Sequence, residues 1–434
     1  MSQKKESRRQ FLGKAASLGA GSVIAGGCAT GTKTASVAPS PVAPAVVVTT
    51  TTPAAIPERR VIGANDRIRV GAIGTGGRGS ADLAAFLTRA DVDVVAVTDA
   101  YTKYRERGVA ACKKKLPQVA EYIRFEEMIE KEQLDAVMIA TPDHTHAPAI
   151  MMALDAGLDV YTEKPMTLTW EDAKMVRDRA LETKAIIQVG TQLRSMPMYQ
   201  KARDVVQAGE IGKLLAVRVN RDAAGPSMGS PRIPDGAQPS EIDWEVFLRN
   251  TKPYPVDLRR YFMWRHFVEY SNGVLSDLMC HHIDLCHMIT GCGMPAKVMA
   301  VGGIFIYDDG RSTPDTVSAV VQYPEQFVFT YSTCGANGKY GLVEKYLGSE
   351  GTIEIDGMRE MTIWRGDKKE VVQSAGILDK PHVDNFIESM RSRKQPIAPV
   401  SAGFQAATAC HMALASVESG ESAKWDPKSE TVTF

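Results

Sequence analysis

Three side chains far apart in the sequence could together handle the proton of a hydroxyl group: Lys164, Asp277 and His281. A histidine with an ordinary pKa near about 6.5 can take a proton at neutral pH. A carboxylate one helical turn earlier can orient the imidazole and stabilise its cation. A lysine ammonium can hold and polarise an alcohol oxygen. Asp277, His281 and Asp284 stand at i, i+4 and i+7, one face of a helix. Hydride removal from a secondary alcohol leaves a carbonyl and a proton to be placed, and this set suits that step. Two other readings use the same residues. One is a metal site adding His282 and His287, although helical geometry turns those two away from the Asp277–His281 face and a site needs three convergent ligands. The other is a buried structural His–Asp pair.

A hydride needs an acceptor, and Ile68-Arg-Val-Gly-Ala-Ile-Gly-Thr-Gly-Gly-Arg-Gly79 supplies the pattern for one. Ile68, Val70 and Ile73 form a short buried-strand run, and Ala81 to Thr88 reads as a helix with Leu83, Phe86 and Leu87 on one face. Between them lies Gly74-x-Gly76-x-x-Gly79. Gly74 permits the tight turn, Gly76 admits a pyrophosphate to the backbone, and Gly79 lets helix and strand pack closely. The backbone of Gly74, Thr75, Gly76, Gly77, Arg78 and Gly79 is therefore the expected cofactor cradle. A second apolar strand, Val94 to Asp99, ends in a carboxylate twenty positions after Gly79, where an acid bonds ribose hydroxyls. A carboxylate there repels a 2′-phosphate, which favours NAD over NADP, while nearby Lys103 and Arg105 temper that preference.

The elements that position these groups follow in βα alternation. Tyr104–Leu116 and Phe125–Lys131 read as helices, Ala136–Ala140 as a strand, Pro148–Ala156 as a helix, Asp159–Tyr161 as a strand, Trp170–Thr183 as a helix and Ala185–Val189 as a strand. Ligands in such open parallel sheets bind beyond the strand C-termini. Thr141–His146, Glu163–Pro165 and Thr191–Arg194 all follow strands there, which makes Thr141, His146, Glu163, Lys164 and Gln192 cofactor-side candidates.

After a helix over Pro197–Ala208 the rhythm changes. Lys213–Asn220, Val298–Ile306, Thr316–Tyr323, Phe327–Cys334, Lys345–Leu347, Thr352–Ile355 and Met361–Trp364 are short, β-branched and turn-bounded, which predicts a largely antiparallel, open sheet. An insertion rich in Trp, Arg and Pro carries Trp264 and Arg265. With Arg194 and Asp284 these are the substrate-side candidates. Pro381–Arg393 and Phe404–Glu418 read as amphipathic helices that return to the first domain. The fold class is thus an α/β Rossmann domain, a doubly wound parallel sheet, followed by an α+β domain. The expected divisions are 1–28, 29–64, 65–190 and 191–434.

The glycine loop, the Thr141-Pro-x-x-x-His146 segment and Glu163-Lys164-Pro165, in this order, resemble the Gfo/Idh/MocA oxidoreductases. The Gly273 turn with Asp277, His281 and Asp284 matches the family's later pattern, apart from Asn272 at a site that is often Gly. The resemblance runs from Asn65 to the C-terminus. It implies NAD(P) in the first domain, catalytic roles for Lys164, Asp277 and His281, and subunit contacts through the outer face of the second sheet, hence a homo-oligomer.

Lys+Arg and Asp+Glu both total 51 over 434 residues, and no basic run marks a nucleic-acid surface. Beyond Cys28 six cysteines lack C-x-x-C spacing and read as free core residues. Ser7-Arg-Arg-Gln-Phe-Leu12 before an Ala/Gly-rich run resembles a twin-arginine export signal, and Ala25-Gly-Gly-Cys28 resembles a lipoprotein box. The expectation is an exported protein, periplasmic or anchored through a lipid at Cys28, with 29–64 as a linker. The leading functional expectation is an NAD-dependent oxidoreductase of a sugar or polyol hydroxyl, carrying a tightly bound and internally recycled nucleotide. A redox-neutral NAD-dependent glycoside hydrolase and a non-catalytic nucleotide-binding module are the alternatives.

Overall fold

The computed structural model describes Arg60 and residues 62–63, 65–222, 232–249, 251–374, 376 and 379–434. The export motif, Cys28 and nearly all of 29–64 lie outside the described residues. The elements β1 (Ile68–Ile73), α1 (Gly77–Leu87), β2 (Val92–Thr98), α2 (Thr102–Lys113), β3 (Ala120–Tyr122), α3 (Phe125–Lys131), β4 (Ala136–Ile139), α4 (His146–Asp155), β5 (Asp159–Glu163), α5 (Trp170–Thr183) and β6 (Ile187–Gly190) build the first layer system. Its six strands run parallel in the order β3-β2-β1-β4-β5-β6. Helices cover both faces, so central strands such as β4 are buried at every residue and appear in sequence as unbroken apolar runs. Strand order reverses beside β1, and a doubly wound sheet opens a crevice at that place.

The chain continues through α6 (Pro197–Gln207) and β7 (Leu214–Arg221), the short helices α7 (Trp244–Leu248) and α8 (Leu258–Phe262), and α9 (Cys280–Thr290). It then forms β8 (Lys297–Gly303), β9 (Thr316–Gln322), β10 (Val328–Cys334), β11 (Leu342–Gly348), β12 (Gly351–Asp356), β13 (Glu360–Arg365) and β14 (Lys368–Gln373). Two helices, α10 (Asp379–Ser392) and α11 (Val400–Ser419), precede β15 (Ala423–Asp426) and β16 (Thr431–Thr433). The second sheet has ten strands in the order β14-β13-β12-β11-β7-β10-β9-β8-β15-β16, antiparallel except for β7 beside β10. Its period-two pattern is plain in β9, where Val317, Ala319 and Val321 face the core while Ser318, Val320 and Gln322 face out. Both sheets fall in one compact unit, Ala54–Phe434. Helix α10 packs on α1, and α11 packs on α5, α9 and β8, tying the two sheets together.

Several boundaries differ from the sequence reading for physical reasons. Helix α1 starts at Gly77, so part of the glycine loop is itself its first turn. Strand β8 stops at Gly303 because the next residues leave the ladder. The N–H groups of Phe305, Ile306 and Tyr307 donate to the Asp315 carboxylate instead. The edge strands β3, β14 and β16, and β15 next to the edge, are too short or too polar to register as apolar runs.

Candidate active site

A cleft of about 580 Å³ opens beyond the C-terminal ends of β1, β2, β4 and β5, roofed by Phe247, Arg249, Tyr261, Trp264 and Arg265 and by Asp277, Leu278 and His281. Its floor is the glycine turn. Gly74 has φ +83, and a Cβ there would lie 2.8 Å from the Ala140 carbonyl group. A Cβ on Gly79 would lie 2.1 Å from the Gly74 oxygen, so only hydrogen fits. Helix α1 is capped by Gly76 with no side-chain hydrogen bond, which leaves its first N–H groups free to meet an anion. Thr75 itself turns inward: it is buried and its hydroxyl donates to the Tyr104 carbonyl.

Asp99 lies at the end of β2 and lines the cleft. Its carboxylate accepts the N–H groups of Thr75 (2.7 Å) and Tyr101 (2.9 Å) and the Tyr261 hydroxyl (3.2 Å). Burial raises its pKa, opposed by these donors. The basic residues nearby all have partners: Lys103 pairs with Glu241, Arg105 with Glu121 and the Asp99 carbonyl, and Arg107 donates to the Thr75 and Gly76 carbonyls.

Below the β5 end, Glu163 takes Arg78 Nε (3.0 Å) and Gln192 Nε2 (2.5 Å). Arg78 also bridges Asp82 and Asp379, and this array of carboxylates holds its guanidinium well above its ordinary pKa despite the opposing effect of burial. Arg78, Thr141, Glu163 and Lys164 line the cleft; Gln192 lies behind Glu163. His146 is buried with its ring nitrogens against the carbonyls of Pro165 and Thr141, both at 2.8 Å. It fixes the two loops to each other and does not line the cleft.

Lys164, Asp277 and His281 do converge, but in a different arrangement from the one the spacing predicts. Leu275–Met279 forms a π-turn before α9, so Asp277 and His281 are not one regular α-turn apart. Asp277 Oδ1 accepts Lys164 Nζ at 2.7 Å and Arg265 Nε at 3.0 Å, and Lys164 Nζ also donates to the Asp277 carbonyl at 2.6 Å. The expected Asp277–His281 hydrogen bond is replaced by this two-cation clamp. Burial would raise the Asp277 pKa, but Arg265 and then Lys164 hold it well below the usual carboxylate range. His281 lines the cleft, and its buried Nδ1 has no hydrogen-bond partner among the described residues. Burial, then the Lys164 charge, push its pKa well below 6.5, so the imidazole is neutral.

Arg265 and Trp264 both line the cleft, with the guanidinium 4.2 Å from the indole centroid. Arg194 and Asp284 do not. They form a buried bidentate pair, both contacts 2.7 Å, and Arg194 also holds the Ile397 carbonyl. The further histidines of the metal reading are dispersed: His282 bonds Glu344 and His287 bonds the Tyr323 hydroxyl. The cleft also contains residues the sequence reading did not single out: Tyr104, Asp143, Arg221, Arg249, Tyr261 and Phe262. Asp143, raised by burial, accepts the hydroxyls of Ser271 (2.9 Å) and Ser276 (3.1 Å). Its place three residues before His146 in the loop after β4 was the available signal.

Residues 68–191 match the model described as "Oxidoreductase family, NAD-binding Rossmann fold", and residues 244–359 match the GFO/IDH/MocA C-terminal domain. An inositol 2-dehydrogenase of Rhizobium meliloti (strain 1021) is 25% identical over 74% of this chain and 83% of its own length. A scyllo-inositol 2-dehydrogenase (NAD(+)) of Bacillus subtilis (strain 168) is 29% identical over 41% of this chain, and the match covers only 40% of that relative. Among solved structures, levoglucosan dehydrogenase in complex with NADH and levoglucosan superposes with TM-score 0.67 at 18% identity, covering 83% of this chain and 99% of that one. With both domain models of one family matched in sequence order, together over more than half of its length, the chain belongs to the Gfo/Idh/MocA oxidoreductase family.

Proposed function

We propose that the protein is an NAD-dependent oxidoreductase of a secondary hydroxyl on a sugar or polyol. The observation that carries this reading is the meeting of Lys164, Asp277 and His281 in the cleft whose floor is the Gly74–Gly79 turn. The residues fit a dinucleotide: Gly74 and Gly79 leave no room for a Cβ, so the turn stays tight, the α1 N-terminus without a side-chain cap suits a pyrophosphate, and Asp99 suits ribose hydroxyls. Asp99 and the engagement of Lys103 and Arg105 with other partners favour NAD over NADP. When bound, NAD supplies the hydride acceptor.

The chain supplies the proton chemistry. Asp277 fixes the Lys164 ammonium, with Arg265 as the second clamp, and Lys164 holds and polarises the substrate hydroxyl. Neutral His281, which lines the cleft, accepts the hydroxyl proton as the carbonyl forms. The inositol dehydrogenases among the relatives support a polyol or sugar as substrate.

The same reading includes export of the folded protein by the twin-arginine route, an anchor at Cys28, and a nucleotide retained and re-oxidised within each cycle by return of the hydride to a carbonyl compound. Homo-oligomer contact is assigned to the outer face of the second sheet, which exposes Met299, Val301, Val320 and Val328. The test follows reduced nicotinamide in purified protein across a panel of sugars and polyols, wild type against His281→Ala. Hydride transfer by the first and not the second supports the reading. Absence of any nicotinamide binding defeats it.

A further inference from the structure

Arg221 ends β7, a central strand of the second sheet. Val217, Val219 and Arg221 share one face by the two-residue period, and the two valines are buried on it. An arginine therefore stands where the pattern calls for an apolar side chain. Its backbone is fixed, paired with Leu342 of β11 and accepting the Thr333 hydroxyl at its carbonyl. Its side chain lines the same cleft as Lys164 and His281. It acts with burial, Lys164 and His282 in lowering the proton affinity of His281.

Every other cation lining the cleft has a carboxylate. Arg78 has Glu163, Asp82 and Asp379; Lys164 and Arg265 share Asp277; Arg249 has Glu126. Among the described residues, none gives the Arg221 guanidinium a hydrogen bond or an ion pair. Its neighbour Asp222 is turned away, accepting Asn220 Nδ2 and the Cys334 N–H. A planar, permanently charged fork matches carboxylate or phosphate oxygens. The glycine turn and α1 already provide for the pyrophosphate, so this charge is left for the other ligand.

We propose that Arg221 anchors an anionic group of the substrate, so that the substrate is an acidic sugar or polyol, carrying a carboxylate or a phosphate, and not a neutral one. This rests on the oxidoreductase reading. The test uses full-length protein loaded with NADH or NAD and three arms: hexuronates, hexose 6-phosphates and the matching neutral hexoses. Binding to the NADH form and kcat/KM with NAD are both measured. The expected result is preference for one anionic arm, reduced about 10- to 100-fold in Arg221→Met through KM and partly kept in Arg221→Lys, with NADH affinity unchanged. The two anionic arms tell carboxylate from phosphate. Preference for neutral hexoses, equal losses in all arms, no anionic compound bound by the NADH form, or weaker NADH binding in Arg221→Met overturns the assignment. Wild-type protein that binds no NADH at all overturns the oxidoreductase reading itself.

Discussion

Replacing Asp277 by Asn tests the clamp at the centre of the site. One carboxylate oxygen lies 2.7 Å from Lys164 Nζ and 3.0 Å from Arg265 Nε, and the three side chains are only 10%, 13% and 19% exposed for Lys164, Asp277 and Arg265. The amide keeps the shape but removes the charge, leaving two buried cations facing each other. Breaking a buried pair by removing one partner costs about 3–5 kcal/mol. At about 2.1 cal/mol/K per residue, a unit spanning Ala54–Phe434 loses roughly 4–6 °C in Tm. Activity should fall by about 10²-fold or more, because the ammonium no longer has a fixed position relative to the hydroxyl. A second variant separates charge balance from general damage. Arg265→Met added to Asp277→Asn removes one of the stranded cations and should recover part of the lost Tm, though not the activity. Calorimetry and steady-state kinetics on the nucleotide-loaded protein read both. A single variant within about 1 °C of wild type, or a double variant no more stable than the single, refutes the role given to Asp277.

His281→Ala should lower turnover by about 10²- to 10⁴-fold with nucleotide affinity retained, and a loss under about threefold excludes it as the base. Because His281 must be neutral to accept a proton, activity is present above its folded pKa and lost below it. With that pKa pushed well under 6.5, kcat/KM should stay level as pH passes through 6.5, and Lys164→Ala should move the acid limb upward. Asp99 predicts weaker binding of NADP than of NAD; equal affinities measured by titration would remove it as the selector. His287 and His382 are held at about 3 and about 4, burial being the main cause. The unfolded chain then binds protons that the folded one does not, so their stabilisation is complete above pH 6.5 and declines as pH falls towards those values. That loss is about 1 kcal/mol each over the first pH unit, visible as a lower Tm at pH 5.5 than at 7.5 and reduced in His382→Gln. Exported protein should carry nucleotide after purification and dialysis; an empty protein that consumes added NAD stoichiometrically would end the recycling proposal.

The parts legible in sequence were those set by local periodicity and by backbone space. Gly74 and Gly79 could be assigned because a strand, a tight glycine-containing turn and a closely packed helix must follow one another in that order, and a Cβ at these two positions would approach the backbone to 2.8 and 2.1 Å. The outward and inward residues of β9 follow from period two. Pairing between side chains was not legible, because it depends on which of several charges reaches a partner first. Asp277 and His281 at i and i+4 satisfy an α-helical rule, but the rule lapses where Leu275–Met279 winds as a π-turn. The carboxylate then meets Lys164 and Arg265, charges brought from β5 and the insertion. Arg194 and Asp284 look like substrate groups by their place in the sequence, yet each is the other's buried counter-ion.

Arg221 reverses that lesson. Its only sequence signal is an arginine in phase with Val217 and Val219 at a strand's end, which by itself is compatible with an ordinary buried ion pair. What separates it from Arg194 is a negative property of its surroundings, the lack of an ion pair to any carboxylate among the described residues. No periodicity encodes such a property, since it depends on where Glu126, Glu163, Asp277 and Asp379 have already been engaged by other cations. Arg221 is the cleft-lining cation left without a carboxylate partner among the described residues, so its guanidinium is available to whatever occupies the cleft. The charge of the substrate is therefore the property of this site that its geometry constrains most directly.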